Sequence, residues 1–351
     1  MCSRGGTIAF VKLVSNPPNR FESTQREPLE PPSRPKIQLF EDDTQQILSR
    51  NESPDLPFRW SVNPYRGCFH ACAYCYARPS HEYWGFGAGT DFESKIVLKR
   101  RAAALLRQAF EKRSWQGELV VFSGNTDCYQ PVESTHGLTR ACLEVCTEYR
   151  NPVGIITKGT IPVRDMDLFR QLQERAWIRV YFSIAFADDE TARLVEPQAP
   201  SISARFETMR VLSEAGIPTG ISVAPIIPGL NEDAIPEILS RAKAAGATSA
   251  TWSLLRLPGN VESVFFERIR DAFPDRTSKI IHRIREVRGG ALSDAEFFSR
   301  HHGTGTYWRC LEQLFELGRR RAGFVQDDTP VPQTFRRPET QQSLFGGEES
   351  S

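Results

Sequence analysis

Asn63-Pro64-Tyr65-Arg66-Gly67-Cys68-Phe69-His70-Ala71-Cys72-Ala73-Tyr74-Cys75-Tyr76 puts three cysteines within eight residues, spaced C-x3-C-x2-C. Thiolates are soft ligands that suit iron–sulfur clusters, zinc or cuprous copper. A structural zinc site closes with four ligands, and a ferredoxin-type cluster also takes four cysteines. No fourth cysteine or paired histidine follows at ligand spacing. Three ligands from one loop leave a position open, and on a four-iron cluster an open iron can bind a molecule that reacts. The alternative at this point is a zinc clip completed by a distant ligand such as His70 or Cys128.

Around this stretch the chain alternates strand and helix. Apolar runs predict strands over 60–62, 118–123, 153–157, 178–185, 219–227 and 248–257. Helical periodicity predicts helices over 94–113, 135–149, 165–175, 201–215, 232–245 and 261–272, with Gly216 and Gly246 placed as C-terminal stops. Strands each followed by a helix call for a parallel sheet with helices outside. Six units are too few for a closed eight-fold barrel. The expected class is therefore α/β, with this unit spanning 58–275. Residues 1–57, rich in Pro, Ser, Asn, Glu and Arg, read as a partly irregular extension without a packed element. Residues 276–324 read as a small basic segment packed on the main unit, with a helix near 307–318. The polar stretch 325–351 reads as a disordered tail.

The length of 351 residues gives ample chain for a sizeable core, and charged residues nearly cancel at a net +1. No global electrostatic footprint of a nucleic-acid binder exists, so any basic surface must be local. The eight cysteines are unevenly placed, and no secretory signal or membrane-length apolar run accompanies them. A disulfide framework is not expected, and the reading is a cytoplasmic protein without a membrane partner. Cys142 and Cys146, four apart in a helical pattern, read as small apolar residues on a buried face.

The string C-x3-C-x-aromatic-C, with Tyr74 ahead of Cys75, resembles the signature of the radical S-adenosylmethionine (SAM) enzymes. The wider string 63–77 is similar to the branch that includes spore photoproduct lyase and related "DNA repair photolyase-like" proteins. The resemblance implies a partial (β/α)6 barrel. It implies that Cys68, Cys72 and Cys75 each bind one iron of a [4Fe–4S] cluster whose fourth iron chelates SAM. It further implies reductive cleavage of SAM to a 5′-deoxyadenosyl radical that abstracts hydrogen, lyase-like chemistry, DNA repair, and a flavodoxin- or ferredoxin-like electron donor. Further matches include Leu194-Val195-Glu196-Pro197-Gln198-Ala199-Pro200, Ala224-Pro225-Ile226-Ile227-Pro228-Gly229-Leu230-Asn231 and Leu254-Leu255-Arg256-Leu257-Pro258.

Ligands of parallel α/β folds sit at the carboxyl ends of strands, so the loops there carry the remaining candidates. Ser123-Gly124-Asn125-Thr126-Asp127-Cys128-Tyr129-Gln130-Pro131-Val132-Glu133 resembles the family segment that holds the methionyl amine of SAM, with Gly124, Asn125, Thr126 and Asp127 as the binding residues. Lys158, by resemblance, meets the SAM carboxylate, and Ser183 and Ser222 stand where the superfamily often binds ribose; all three have bland alternatives as surface or core residues. Cys128 is a candidate hydrogen-atom donor, a thiol near the SAM site, or a small residue filling a turn. Arg256 is a candidate for a substrate phosphate, and Glu196 has a structural alternative as the partner of Arg205. His282, Arg283, Arg285, Arg288, Arg300, His301 and His302 form a run that reads as a solvated face or a track for a phosphate backbone. Thr340-Gln341-Gln342-Ser343-Leu344-Phe345-Gly346 resembles the short peptide by which bacterial repair proteins dock on the sliding clamp. Damaged DNA or another nucleic acid is the implied substrate; a peptide or small molecule, or a non-catalytic cluster protein, are the alternatives.

Overall fold

A computed structural model describes residues 16–19, 21, 36–325 and 329–338. Its strands, in chain order, are β1 (Gln38–Glu41), β2 (Leu48–Arg50), β3 (Trp60–Val62), β4 (Tyr65–Arg66), β5 (Lys95–Leu98), β6 (Val120–Phe122), β7 (Val153–Thr157), β8 (Ile178–Ser183), β9 (Thr219–Ile226) and β10 (Ser249–Leu254). Six of them, β3, β6, β7, β8, β9 and β10, lie side by side in chain order and pair in parallel. That order is the α/β partial barrel expected from the strand–helix alternation. Residues of β6, β7 and β8 such as Val120, Phe122, Val153, Ile155, Val180 and Phe182 are fully buried. β6 and β7 are buried along nearly their whole length and read as continuous apolar runs, whereas β8 alternates buried Ile178, Val180 and Phe182 with half-buried Arg179 and Tyr181. The helices that follow them cover the outside, and their apolar stripes match the expected spans to within a few residues. Cys142 and Cys146 are both fully buried on the helix Leu138–Glu148.

Four departures from expectation matter. First, the supposedly irregular extension contributes β1 and β2, and β2 runs antiparallel to β3 at the sheet edge. Second, the helix expected over 94–113 is split: Lys95-Ile96-Val97-Leu98 is a strand, and the helix is Ala102–Glu111. Ile96, Val97 and Leu98 are fully buried, and the run pairs with β1 and β4 in a separate three-stranded sheet. Third, Thr277–Val287 is a helix, held by Ile280, Ile284 and Val287 at i, i+4 and i+7. Fourth, residues 329–338 of the tail lie on the barrel. Phe335 stacks at 6.1 Å on Tyr149 and meets Phe110 edge-on at 5.8 Å, while Arg337 donates to the carbonyls of Phe110 and Lys112.

The helix Gly305–Arg321 packs Trp308, Leu311 and Phe315 inward, as the expected C-terminal helical segment. No helix among the described residues is long and apolar enough to cross a membrane.

Candidate active site

Parallel strands in register bring their carboxyl ends to one edge of the sheet, and the cysteine loop leaves β3 at that edge. Cys68 and Cys72 are buried and Cys75 is half-buried. Gly67 opens the loop with φ +71°, and a Cβ there would come within 2.8 Å of the Lys95 carbonyl, so only glycine fits. β4 ties the loop entry to β5, and the Cys68 amide donates to the Phe92 carbonyl at 2.9 Å. The Ala73 amide donates to the Val195 carbonyl at 2.9 Å, linking the loop to the segment after β8.

Two side chains to which the sequence assigned no role lock this loop. Gln130, fully buried, donates from Nε2 to the Gly67 carbonyl and accepts at Oε1 from the Phe69 amide, both at 3.0 Å, so one amide brackets Cys68. Arg78, also fully buried, donates to the carbonyls of Ala71, Cys72, Ala88 and Gly89 and pairs with Glu93 at 2.6 Å. Gln130 was visible as part of the 126–133 string; nothing periodic marks Arg78.

Burial pushes all three thiols up, Cys72 to about 12, so a metal must displace their protons to bind. Among the described residues no three Cys, His, Asp or Glu side chains converge closely enough to hold a single ion, as a zinc clip demands. A cubane takes each thiolate on its own iron, and three buried thiols from one rigid loop fit that group.

The remaining candidates sort into two sets. Tyr74 is buried and its hydroxyl donates to Glu196. Arg205 forks between Glu196 at 2.5 Å and the Ser183 carbonyl at 3.1 Å, which makes the Glu196–Arg205 pairing real. Lys158 Nζ lies 5.6 Å from the Tyr74 ring centre and donates to Ser183 Oγ at 2.9 Å. Burial by itself would lower the Lys158 ammonium, yet Cys72 and Glu196 beside it carry it above its ordinary value. A half-buried cation at the strand edge, next to the cysteines, is suited to a carboxylate. Ser222 is half-buried and in register with Ser183 on the neighbouring strand.

On the β6 loop, Gly124 sits against Ser61, where a Cβ would come within 2.7 Å of that side chain, and its carbonyl accepts from Tyr76 at 3.0 Å. Asn125 is oriented by Asn63 (2.8 Å) and Ser80 (3.3 Å). Thr126 instead turns inward to the Tyr65 carbonyl at 2.7 Å. Asp127 accepts from Thr157 and from the Lys158 amide, both at 2.7 Å, and lies 3.3 Å from His70. Burial would raise its carboxyl, but His70, that amide and that hydroxyl outweigh it and hold it at about 2. Cys128 is fully buried, with its amide on Ser123 Oγ and its carbonyl on Thr139; burial pushes its thiol well up. Its placement is that of a core residue.

The basic run also changes meaning. Arg288 turns inward and donates to the carbonyls of Leu255, Ser299, Arg300 and His302. Arg300 forks onto Asp55 at 2.6 and 2.8 Å. Neither tracks a phosphate backbone. Arg256, two residues past β10, is different: its Nε is buried without a partner among the described residues, and its guanidinium lies 5.8 Å from the ring of Tyr76, itself 47% exposed. Phe297 and Phe298, on the segment that folds over this edge, are 51% and 65% exposed.

A model of the radical SAM superfamily matches residues 62–242. An uncharacterised protein of Mycobacterium tuberculosis is 37% identical over 234 residues, covering 66% of this chain and 68% of the relative. A radical SAM Nα-GlyT isomerase of Pseudomonas phage M6 is 25% identical over 241 residues, covering 66% of this chain and 46% of the relative. Among solved structures, spore photoproduct lyase complexed with dinucleoside spore photoproduct matches with a TM-score of 0.59 at 14% identity, covering 81% of this chain and 79% of that one.

Proposed function

This chain belongs to the radical SAM superfamily, and on that premise we propose that it abstracts a hydrogen atom from a damaged or modified nucleic acid held at the carboxyl edge of the barrel. It is an enzyme whose cofactors are a [4Fe–4S] cluster and SAM. When bound, they supply the one-electron chemistry of the superfamily, which ends in hydrogen-atom abstraction. Cys68, Cys72 and Cys75 would hold the cluster. Lys158, steadied by Ser183, would hold the SAM carboxylate, and Gly124 and Asn125 would present backbone to its amine. Ser183 and Ser222 stand on adjacent strands for its ribose. Tyr74, Glu196 and Arg205 fix the charge behind Lys158 so that it does not swing away.

The observation that carries the substrate reading is Arg256. A guanidinium half withdrawn from water, its Nε without a hydrogen-bond partner among the described residues and an aromatic ring beside it, suits a phosphodiester, with Asp55 and Asp294 acting on it only at longer range. Exposed Tyr76, Phe297 and Phe298 nearby offer planar faces for bases. The likeness in fold to a lyase bound to a dinucleoside photoproduct supports the same reading. The free cysteines favour a cytoplasmic setting, and a flavodoxin- or ferredoxin-like reductant is proposed as the electron donor on the strength of the family's chemistry. The 341–345 peptide lies outside the described residues; docking on a sliding clamp stands as a proposal, tested by whether its deletion abolishes co-purification with the clamp.

The deciding experiment reduces the anaerobically reconstituted enzyme with SAM and DNA deuterated at candidate base and sugar positions. Deuterium in the deoxyadenosine product supports the reading. Label arriving from a peptide or small molecule, and from no nucleic acid, overturns it.

A further inference from the structure

Arg78, Glu93 and Arg268 form a buried charge set behind the cysteine loop. Arg78 is fully buried and spends its guanidinium on four carbonyls and on Glu93, with Nε and one terminal nitrogen both on the Cys72 carbonyl at 3.0 and 2.9 Å. Its face stacks on Phe92, whose carbonyl receives the Cys68 amide. Glu93 is 8% exposed. Arg268, on the helix Val261–Ala272, is 2% exposed, and its Nε has no hydrogen-bond partner among the described residues. It feels both other members: burial lowers it, Glu93 opposes that, Arg78 adds to it, and Asp271 and Glu267 on its own helix also oppose it.

Loop rigidity alone does not ask for this arrangement. Backbone carbonyls can be met by neutral amides, as Gln130 meets Gly67 on the other side of the loop. Burying the Arg78–Glu93 ion pair costs desolvation and sets a full positive charge against the Cys72 carbonyl in a low-dielectric region. Fixed charge near an iron–sulfur cluster changes how readily it accepts an electron.

We propose that Arg78, Glu93 and Arg268 are positioning and tuning residues that set the reduction potential of the cluster, with Arg78 joining the charge set to the backbone of Cys72. The positive charges of Arg78 and Arg268 favour the reduced, more negative cluster, and Glu93 opposes them. This rests on the family's cofactor and not on the nucleic-acid reading, so either can fail alone.

The test is a redox titration, followed by electron paramagnetic resonance, of anaerobically reconstituted full-length variants, with iron per chain measured in parallel. Arg268→Met and Arg78→Gln remove positive charge and are expected to shift the midpoint potential downward in the loaded fraction. Glu93→Gln removes negative charge and is expected to shift it upward. The double variant Arg78→Gln, Glu93→Gln is expected to fall between the two single variants. If Arg78→Gln fails to fold, Glu93→Gln and Arg268→Met still supply the two opposite signs. A merely structural role lowers iron content and leaves the potential of loaded protein unchanged. That result, or shifts of one sign in all variants, overturns the proposal.

Discussion

Replacing Gln130 by methionine keeps the length and most of the volume of the side chain and removes both hydrogen bonds around Cys68. The bonds to Gly67 and Phe69 are each 3.0 Å long and reach the two peptide groups that flank the cysteine. Each is worth about 1 kcal/mol net, and a buried group left unpaired costs ~1–3 kcal/mol more. Gly67 is buried, so its carbonyl gains no water in exchange. The closed loop should therefore lose about 3 kcal/mol relative to an opened one, which corresponds to roughly 100-fold in population. The assay is the rate at which an iron chelator strips reconstituted protein under anaerobic conditions, expected to rise by that factor. Denaturant unfolding of the apoprotein is run beside it to show that the fold survives. Gln130→Glu is a useful companion, because it keeps an acceptor for Phe69 and sets a carboxylate against the Gly67 carbonyl. Chelator release at the wild-type rate in both variants would refute the view that this amide holds Cys68.

Arg256→Ala is expected to weaken binding of a single-stranded oligonucleotide at least about 10-fold and to reduce its salt slope by about one, with iron content unchanged; fluorescence anisotropy across a salt series measures both. Cys128→Ala is expected to leave the distribution of label in the product unchanged, because the thiol is sealed in the core; a changed distribution would restore it as a hydrogen donor. For Asp55, burial would raise the carboxyl, but Arg300, the Phe298 amide and His301 bring it below its ordinary value. Its stabilising contribution is therefore complete above the usual carboxylate range and lost as pH falls below about 4. Subtracting the pH–stability profile of Asp55→Asn from that of the wild type should reveal this acid limb. Phe335→Ala is expected to cost about 1–2 kcal/mol in denaturant unfolding by stripping the ring from Phe110 and Tyr149.

The sequence by itself determined the chemistry and the main architecture. Cysteine spacing is a local property, since Cys68, Cys72 and Cys75 must share one loop whatever surrounds them. The inner strands were legible as short apolar or alternating runs recurring between helices, and the helices because each buries one stripe. Lys158 and Ser183 were legible as strand-end residues, although only the fold shows that they touch.

Tertiary structure decided the rest. β1 and β2 are only four and three residues long, too short for a period to show, and they exist because β5 and β3 lie beside them. β5 looked helical because an apolar run of that length is ambiguous until its partners are known. The arginines near the end of the chain read as a solvated face, but what an arginine does depends on what lies opposite it. For Arg300 that partner is Asp55, 245 residues away in sequence. Arg78 escaped notice for the same reason, and Gln130, though part of the 126–133 string, had no role legible there. Their targets are backbone groups of the cysteine loop, which any residue type supplies, so no side-chain pattern shows what they hold. Periodicity carries information over a few turns of chain, whereas the charges and amides that hold this site are paired by the fold alone.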